Sequence, residues 1–204
     1  FLSVFLLHLE ILSSRIIIFD NLLEIKVFNL IFTSFCLLIL INGSNFIDGL
    51  NGLLLVYITF VIIILFKLDL ISKFVLNEDL ILYLIAFLII LIILNLLNIL
   101  MLGDTGAYLL SFFLGYLIIN CHKFNPYISP YFFISIIWYP CYENLFSIIR
   151  KLKEKFSPLK PDSKHLHKLL YSYLRKKYCK KKLFSNNVSS LLINIVNLIV
   201  IYIS

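Results

Sequence analysis

One long uncharged run sets the class of this protein: Leu80-Ile-Leu-Tyr-Leu-Ile-Ala-Phe-Leu-Ile-Ile-Leu-Ile-Ile-Leu-Asn-Leu-Leu-Asn-Ile-Leu-Met101. A helix needs roughly 20 mostly apolar residues to cross a bilayer, and this run has that length. The apolar runs on either side are also continuous, without the period of two that a membrane β-barrel requires. We therefore predict membrane spans at 27–42, 53–68, 80–101, 107–121, 131–149 and 187–203.

The composition of the whole chain supports the same class. Apolar residues make up 61% of the 204 residues, and charged residues only 14%. Soluble domains are roughly 45–50% apolar, so a water-soluble fold of this length is excluded. Backbone groups in lipid must bond internally. We predict an all-α, polytopic helical membrane protein with about six transmembrane helices, forming a single integral membrane domain over residues 1–204.

Three polar stretches interrupt the apolar spans, at 42–52, 102–106 and 161–167. Counting span ends along the chain places all three on the same side of the membrane. Carboxylates and amides at span ends are unfavourable unless they serve a function. The three stretches are therefore the candidate site.

Basic residues fix the orientation. The segment 150–186 holds 13 of the 18 Lys and Arg residues, and positively charged loops stay in the cytoplasm. We predict a multi-pass protein of the cell inner (plasma) membrane with its three polar stretches on the cytoplasmic face. The net charge of +7 is concentrated in this loop, and no separate basic domain indicates nucleic-acid binding.

The same loop, 150–186, carries a helical pattern. One apolar stripe recurs at the spacing of a helix face, formed by Leu166, Leu169, Leu170, Tyr173 and Leu174. Most of the basic residues lie off this stripe. We predict an amphipathic helix that starts near Pro161-Asp162-Ser163 and lies on the anionic inner leaflet.

The first polar stretch contains candidate cation ligands. Asn45 and Asp48 are three residues apart, so a helical turn places them on one face. Asp48 and Asn51 offer oxygen atoms of the kind that hard cations bind. The alternative is a polar helix cap between two spans.

The second stretch, Gly103-Asp104-Thr105-Gly106, follows a long apolar helix and opens the next one. Backbone N–H groups at a helix start bind phosphate, and Asp104 is placed to hold Mg²⁺ beside it. The alternative is simple capping of the helix by Asp104 or Thr105.

The third stretch contains His165 and His167, which face the same way in an extended segment and roughly opposite ways on a helix. They are candidates for binding phosphate oxygens or moving a proton. The alternative is two solvated histidines, and zinc is less favoured because no third ligand has a recognised spacing.

Three polar residues inside the spans are harder to assign. Asn95 and Asn98 are interpreted as hydrogen-bonding across helices. Glu143 requires a partner or nearby water, and a structural pairing and a role in the site both remain open. A basic inner face, carboxylates able to hold a metal and a helix start suited to phosphate together indicate phosphate chemistry at the membrane surface.

At these residues the chain resembles the polyprenyl-phosphate N-acetylhexosamine-1-phosphate transferases of glycosyltransferase family 4. Segment 42–53 is similar to that family's Asn-Asp-Gly motif, 102–108 to its metal-binding segment and 161–170 to its His-x-His loop. The resemblance extends from about residue 30 to the end. It implies transfer of a sugar-1-phosphate from a UDP-sugar to a membrane polyprenyl phosphate with release of UMP, the first step of lipid-linked cell-envelope glycan synthesis such as that of lipopolysaccharide.

The resemblance also implies site residues. It implies Mg²⁺, or Mn²⁺, held by Asp104 and Asp48, which act catalytically together with His165 and His167. The substrate-binding residues that it implies are Asn45, Asn51, Gly103, Thr105, Lys164 and Lys168.

The chain departs from that pattern at several positions. Asn51 stands where many members have a second Asp, and Lys168 where some have another His. The family's paired aspartates, N-terminal to these motifs, have no counterpart, and the span count puts Asp20 on the opposite side. We therefore expect the C-terminal part of such an enzyme, a fragment or half of a split enzyme, with a homodimer as an alternative.

We accordingly expect residues 1–204 alone not to transfer sugar-1-phosphate. Two other functions stay open. One is an inactive remnant. The other is a transporter-like membrane protein that binds lipid or ions, which predicts polar residues continuing through the spans, whereas 53–68 and 187–203 are interpreted as nearly free of them.

Overall fold

A computed structural model describes residues 1–71, 76–153, 165–177 and 181–203, and these ranges form α-helices joined by short turns. The helices are α1 (Leu2–Leu6), α2 (Ile17–Leu23), α3 (Lys26–Ile47), α4 (Leu53–Lys67), α5 (Glu78–Leu96), α6 (Gly103–Phe124), α7 (Pro130–Ile136), α8 (Trp138–Lys153), α9 (Leu166–Lys177) and α10 (Lys182–Ile203). The predicted class, an all-α polytopic membrane protein, is confirmed.

The number of spans differs from the prediction of about six. Among the described helices, α3, α5, α6 and α10 are long and apolar enough to cross a membrane. Helices α7 and α8 make a fifth span if they are taken together, although they are bent by 76°. Helix α4 has 15 residues, so it is about 22 Å long against a hydrocarbon core of about 30 Å.

Helix α4 is short because it is a core helix. Its residues Leu53, Leu54, Ile58 and Leu65 are fully buried, and it packs against α5, α6 and α10. A helix covered by other helices does not need the length of one that spans lipid. The predicted span at 53–68 is therefore the centre of the packed core.

Helix α10 carries a row of buried polar residues, so the interpretation of 187–203 as nearly free of polar residues is wrong. The row consists of Ser185, Ser189, Ser190, Asn194 and Asn197. It faces the protein, where Asn194 donates from Nδ2 to the carbonyl oxygen of Leu53 at 3.4 Å. Small and amide side chains are typical of helix contacts inside a membrane.

A close contact between α3 and α8 fixes where the first polar stretch lies. A Cβ atom added at Gly43 would lie 2.0 Å from the carbonyl oxygen of Pro140. The two backbones therefore touch, which only a glycine permits. This contact places the end of α3, and the residues that follow it, directly beside α8.

The opposite end of the bundle contains the N-terminal residues. The Arg15 guanidinium donates to the carbonyl oxygen of Tyr127 at 2.8 Å, just beyond the end of α6. Asp20, in α2, accepts hydrogen bonds from Ser13 and Ser14 nearby. This group lies at the end of α6 remote from Asp104, in agreement with the span count for Asp20.

Helix α9 packs one side against the protein and leaves part of the predicted apolar stripe exposed. It packs on α10 and buries His167 completely. Leu166, Leu169 and Tyr173 are about half exposed and form an apolar edge beside the basic residues. The predicted helix start at 161–163 lies outside the described residues, as do Lys164 and the other residues of 154–164.

Candidate active site

A polar cleft of about 560 Å³ opens where α3 ends and where α6 and α10 begin. Its polar lining residues are Asp48, Asn51, Asn95, Asn98, Asp104, Lys182 and Asn186. The first two polar stretches predicted from the sequence are therefore brought together.

Two carboxylates from different helices face this cleft. Asp48 follows the last residue of α3, and Asp104 lies in the first turn of α6. Burial, together with the charge of Asp104, raises the pKa of Asp48 to about 7. The repulsion between like charges is what a bound cation would relieve.

The start of α6 depends on one glycine. Gly103 has a φ of 67°, a left-handed conformation that glycine adopts without strain. Asp104 follows directly and enters the first turn, where backbone N–H groups have no partner within the helix. The cleft therefore has a helix start on one wall, which suits an anion.

The carboxylate pair fits Mg²⁺ as a partial site. Among the described residues, no group of three or more His, Cys, Asp or Glu side chains is placed to hold a metal ion. Mg²⁺ is usually bound through one or two carboxylates, with water and substrate phosphates completing its shell. Asp48 and Asp104 supply that number.

Asparagine side chains hold the loop that carries Asp48. The backbone N–H of Asn51 donates to Asn186 Oδ1 at 2.7 Å, and the side-chain Nδ2 of Asn51 donates to Asn98 Oδ1 at 3.3 Å. The Gly52 N–H donates to Asn95 Oδ1. Asn95 therefore bonds across helices as predicted, and Asn98 also lines the cleft.

Two residues that line the cleft, Lys182 and Asn186, are not predicted from the sequence. Both lie in the first turns of α10, and Lys182 is exposed. A lysine within a basic loop and an amide at the start of a span have no distinguishing pattern. Only their position beside residues 48–51 shows that they line the cleft.

The two histidines lie behind the Asp48 loop. His165 directly precedes α9 and His167 is in its first turn, and their rings stack at 5.5 Å with an angle of 10°. Both side chains are buried, so the alternative of two solvated histidines is wrong. A Cβ atom at Gly49 would lie 2.7 Å from His167 Nε2, so this ring rests on the backbone next to Asp48.

His167 is a neutral, unpaired side chain. Burial is the main cause that lowers the pKa of His167 to about 4, so the ring is uncharged near neutral pH. Neither ring nitrogen has a hydrogen-bond partner among the described residues. A buried polar group without a partner is uncommon, which makes His167 a candidate for contact with a ligand.

The remaining predicted residues lie around the cleft. Asn45 donates from Nδ2 to the Tyr108 hydroxyl at 3.3 Å. Thr105 is exposed in the first turn of α6, and Lys168 is exposed on α9. None of the three is among the described lining residues, and Lys164 lies outside the described part of the chain.

Comparison with known proteins identifies one family. The family model described as "Glycosyl transferase family 4" matches residues 1–122. The matched part begins earlier than the resemblance seen in the sequence. It contains both Asp48 and Asp104 and ends before His165. No curated protein and no solved structure matches the chain.

Proposed function

The chain belongs to glycosyl transferase family 4, and from this premise we propose that it takes part in the transfer of an N-acetylhexosamine-1-phosphate from a UDP-sugar to polyprenyl phosphate, with release of UMP. Family membership supports a polyprenyl-phosphate sugar-1-phosphate transferase kind of function. The N-acetylhexosamine, the UDP donor and a place at the start of cell-envelope glycan synthesis are the finer parts of the proposal. Its main support is the meeting of Asp48 and Asp104 in one cleft.

The proposed reaction joins two anions. A phosphate oxygen of the lipid attacks the phosphorus that carries the sugar, a new P–O bond forms, and the bond from that phosphorus to UMP breaks. Mg²⁺, when bound, neutralises diphosphate charge and stabilises the charge that develops on the leaving UMP. Catalysis of this kind is mostly positioning and electrostatic stabilisation.

The residues of the cleft divide these tasks. Asp48 and Asp104 would hold the cation, and Mn²⁺ would suit the same oxygen ligands. The N–H groups at the start of α6 would bind phosphate, and Lys182 adds a positive charge to the cleft wall. The neutral His167 offers one N–H donor and one acceptor beside Gly49.

The proposed location is the cytoplasmic face of the inner membrane. The cleft and the basic helix α9 adjoin each other, because His167 of α9 rests on Gly49 at the cleft. Positive segments are retained in the cytoplasm, so the cleft would open there. Nucleotide sugars are then available to it directly, and the lipid reaches it from the inner leaflet.

The proposal is tested by reconstitution. The intact protein is purified into lipid nanodiscs and supplied with UDP-N-acetylhexosamine, polyprenyl phosphate and Mg²⁺. We expect UMP release that requires the sugar nucleotide, the lipid phosphate and the cation together. Release of UMP without the lipid would indicate a hydrolase, and absence of release with every UDP-N-acetylhexosamine would contradict the proposal.

One observation favours a second candidate, a transporter-like protein that binds ions. In the buried polar row of α10, Asn194 Oδ1 and Asn197 Nδ2 have no partner among the described residues. Unpaired polar atoms inside a span are expected along an ion path. Cation flux through protein-containing vesicles, lost in Asn197→Leu, would favour this candidate, and equal flux in protein-free vesicles would exclude it.

A further inference from the structure

One buried carboxylate joins α8 to the histidine pair. The Glu143 side chain in α8 is 3% exposed, and both of its oxygens are used. Oε2 lies 3.0 Å from His165 Nδ1, and Oε1 accepts the Leu166 backbone N–H at 3.1 Å. The partners are 22 and 23 residues away in sequence, so these contacts belong to the tertiary fold.

The bond to Leu166 caps α9. Leu166 is the first residue of α9, and the His165 carbonyl accepts the N–H of Leu169 at 3.0 Å. His165 is thus the N-cap residue. The N–H groups of a first turn have no partner within the helix, and Glu143 supplies one of them with an acceptor from another helix.

The bond to His165 selects one form of its ring. An ionised carboxylate only accepts hydrogen bonds, so in this contact the His165 Nδ1 carries a proton and donates it to Glu143. The ring is also held on its faces. It lies 5.0 Å from the Phe46 ring and 5.5 Å from the His167 ring.

A chain of contacts connects Glu143 to the cleft. His165 stacks on His167, and His167 rests on Gly49, the neighbour of Asp48. Fixing the His165 ring therefore fixes the surface on which His167 lies. A change at Glu143 would therefore reach the cleft through the rings of His165 and His167, although Glu143 itself is not among the described lining residues.

We infer that Glu143 is a positioning residue of this enzyme: its carboxylate orients His165 and caps α9, and so holds the histidine pair in register with the Asp48 loop. The inference rests on the proposed function. Removal of a carboxylate that orients a metal-binding histidine typically lowers activity by about 10- to 100-fold, and we expect a loss in the same range here. Glu143 is not among the described residues that line the cleft, and it acts through His165.

The first test reads the histidine ring directly and needs no enzymatic turnover. The intact protein is labelled with ¹⁵N-histidine in nanodiscs, and the His165 signal among the four histidines is assigned with His165→Asn. We expect the Nδ1–H form in the native protein. In Glu143→Gln the single amide oxygen accepts from Leu166, so the amide NH₂ faces Nδ1 and the ring changes to the Nε2–H form.

The control is the adjacent residue. Asn144 is also buried in α8, and it donates from Nδ2 to the Ile39 carbonyl oxygen at 3.0 Å. Asn144→Ala removes one contact between α8 and α3 without touching the histidines. We expect this variant to lower the unfolding temperature and to leave the His165 signal and kcat unchanged.

The second test is a double-mutant cycle on UMP release. Glu143→Gln should lower kcat/KM by about 10- to 100-fold, and His165→Asn by at least as much. If Glu143 acts through His165, the double variant is no slower than His165→Asn alone. Multiplication of the two losses would overturn the inference.

The outcomes separate the inference from the proposed function. An Nε2–H ring at His165 in the native protein, or an Nδ1–H ring retained in Glu143→Gln, overturns the inference whatever the activity, and the former needs no variant of Glu143. The expected ring forms in a protein that transfers no sugar-1-phosphate would support the positioning role while contradicting the proposed function.

Discussion

Asp48 has a raised pKa, which reflects the electrostatics of the cleft. It lies at the end of α3, half-buried, and shares the cleft with Asp104. Its carboxylate is more easily protonated than a free aspartate, because burial and the neighbouring charge both oppose ionisation. A bound cation would reverse that preference, since it favours the ionised form.

The raised pKa of Asp48 predicts a pH dependence of stability. The pKa is about 7 in the folded chain and 3.8 as its ordinary value. Between these values the folded state holds a proton that the unfolded state has released, so stability falls as pH rises through this window. Without divalent cations, Asp48→Asn should therefore raise the unfolding temperature at pH 8 and change it little near pH 4.

Thermal unfolding in detergent, with EDTA or with Mg²⁺, measures this effect. Mg²⁺ should stabilise the native protein more at pH 8 than at pH 5 and should have little effect on Asp48→Asn. An Asp48→Asn protein that unfolds at a lower temperature than the native one at pH 8 in EDTA would contradict the assignment.

Residues that carry a local pattern were predictable, and residues that act through tertiary contacts were not. Asp48 and Asp104 stand in short polar stretches at span ends, so the sequence was sufficient to single them out. The pairing of Asn51 with Asn186 joins residues 135 positions apart. The sequence shows that Glu143 needs a partner, but only its contacts at the start of α9 identify that partner as His165.

At the scale of helices, the contact between α3 and α8 leaves the least room for an added side chain. The Pro140 carbonyl group that faces Gly43 is backbone and has no freedom to rotate away. Pro140 itself is tolerated because it lies in the first turn of α8, where a missing N–H removes no helix bond. The same proline marks the start of a new helix after the 76° bend.

Gly43→Ala should therefore destabilise the protein strongly. Overpacking of a filled core typically costs about 1–3 kcal/mol, and the upper end is expected here because two backbones would have to separate. The matched control is Gly115→Ala. Its added Cβ would meet the ends of the Leu37 and Leu40 side chains, which have rotamers available.

The unfolding temperatures of Gly43→Ala and Gly115→Ala, measured in the same detergent, test this prediction. We expect Gly43→Ala to unfold well below Gly115→Ala. Equal unfolding temperatures would mean that the α3–α8 contact is looser than the structure has it.

The number of spans was less predictable than the helices themselves. Apolar runs predict helices, but the length of 53–67 alone does not say whether it crosses lipid or fills a core. The answer depends on α5, α6 and α10, which cover α4. The polar row of α10 was underestimated for a related reason, since serines and asparagines are tolerated in a span only on the side that faces other helices.

In the whole molecule, the cleft and α9 are proposed to face the cytoplasm. In a cysteine-free background, Thr105→Cys and Lys176→Cys, both exposed, should react with an impermeant thiol reagent only from the cytoplasmic side. Asp79→Cys, at the far end of α5, and Tyr127→Cys, near the far end of α6, should react only from the opposite side. Labelling of Thr105→Cys and Asp79→Cys from the same side would refute this topology.

Asp48 and Asp104 are proposed to form the cation and phosphate site of a sugar-1-phosphate transferase, and Asp104→Asn tests this assignment most directly. Asp79→Asn is a matched control, because Asp79 also lies in the first turn of a spanning helix but at the end remote from the cleft. The measurement is Mg²⁺-dependent UMP release by the intact protein with UDP-N-acetylhexosamine and polyprenyl phosphate. We predict a loss of at least about 100-fold, or about 2.7 kcal/mol of transition-state stabilisation, in Asp104→Asn and none in Asp79→Asn. Activity of Asp104→Asn within a few-fold of the native protein, with the same dependence on Mg²⁺, would make Asp104 a plain helix cap and would contradict the account.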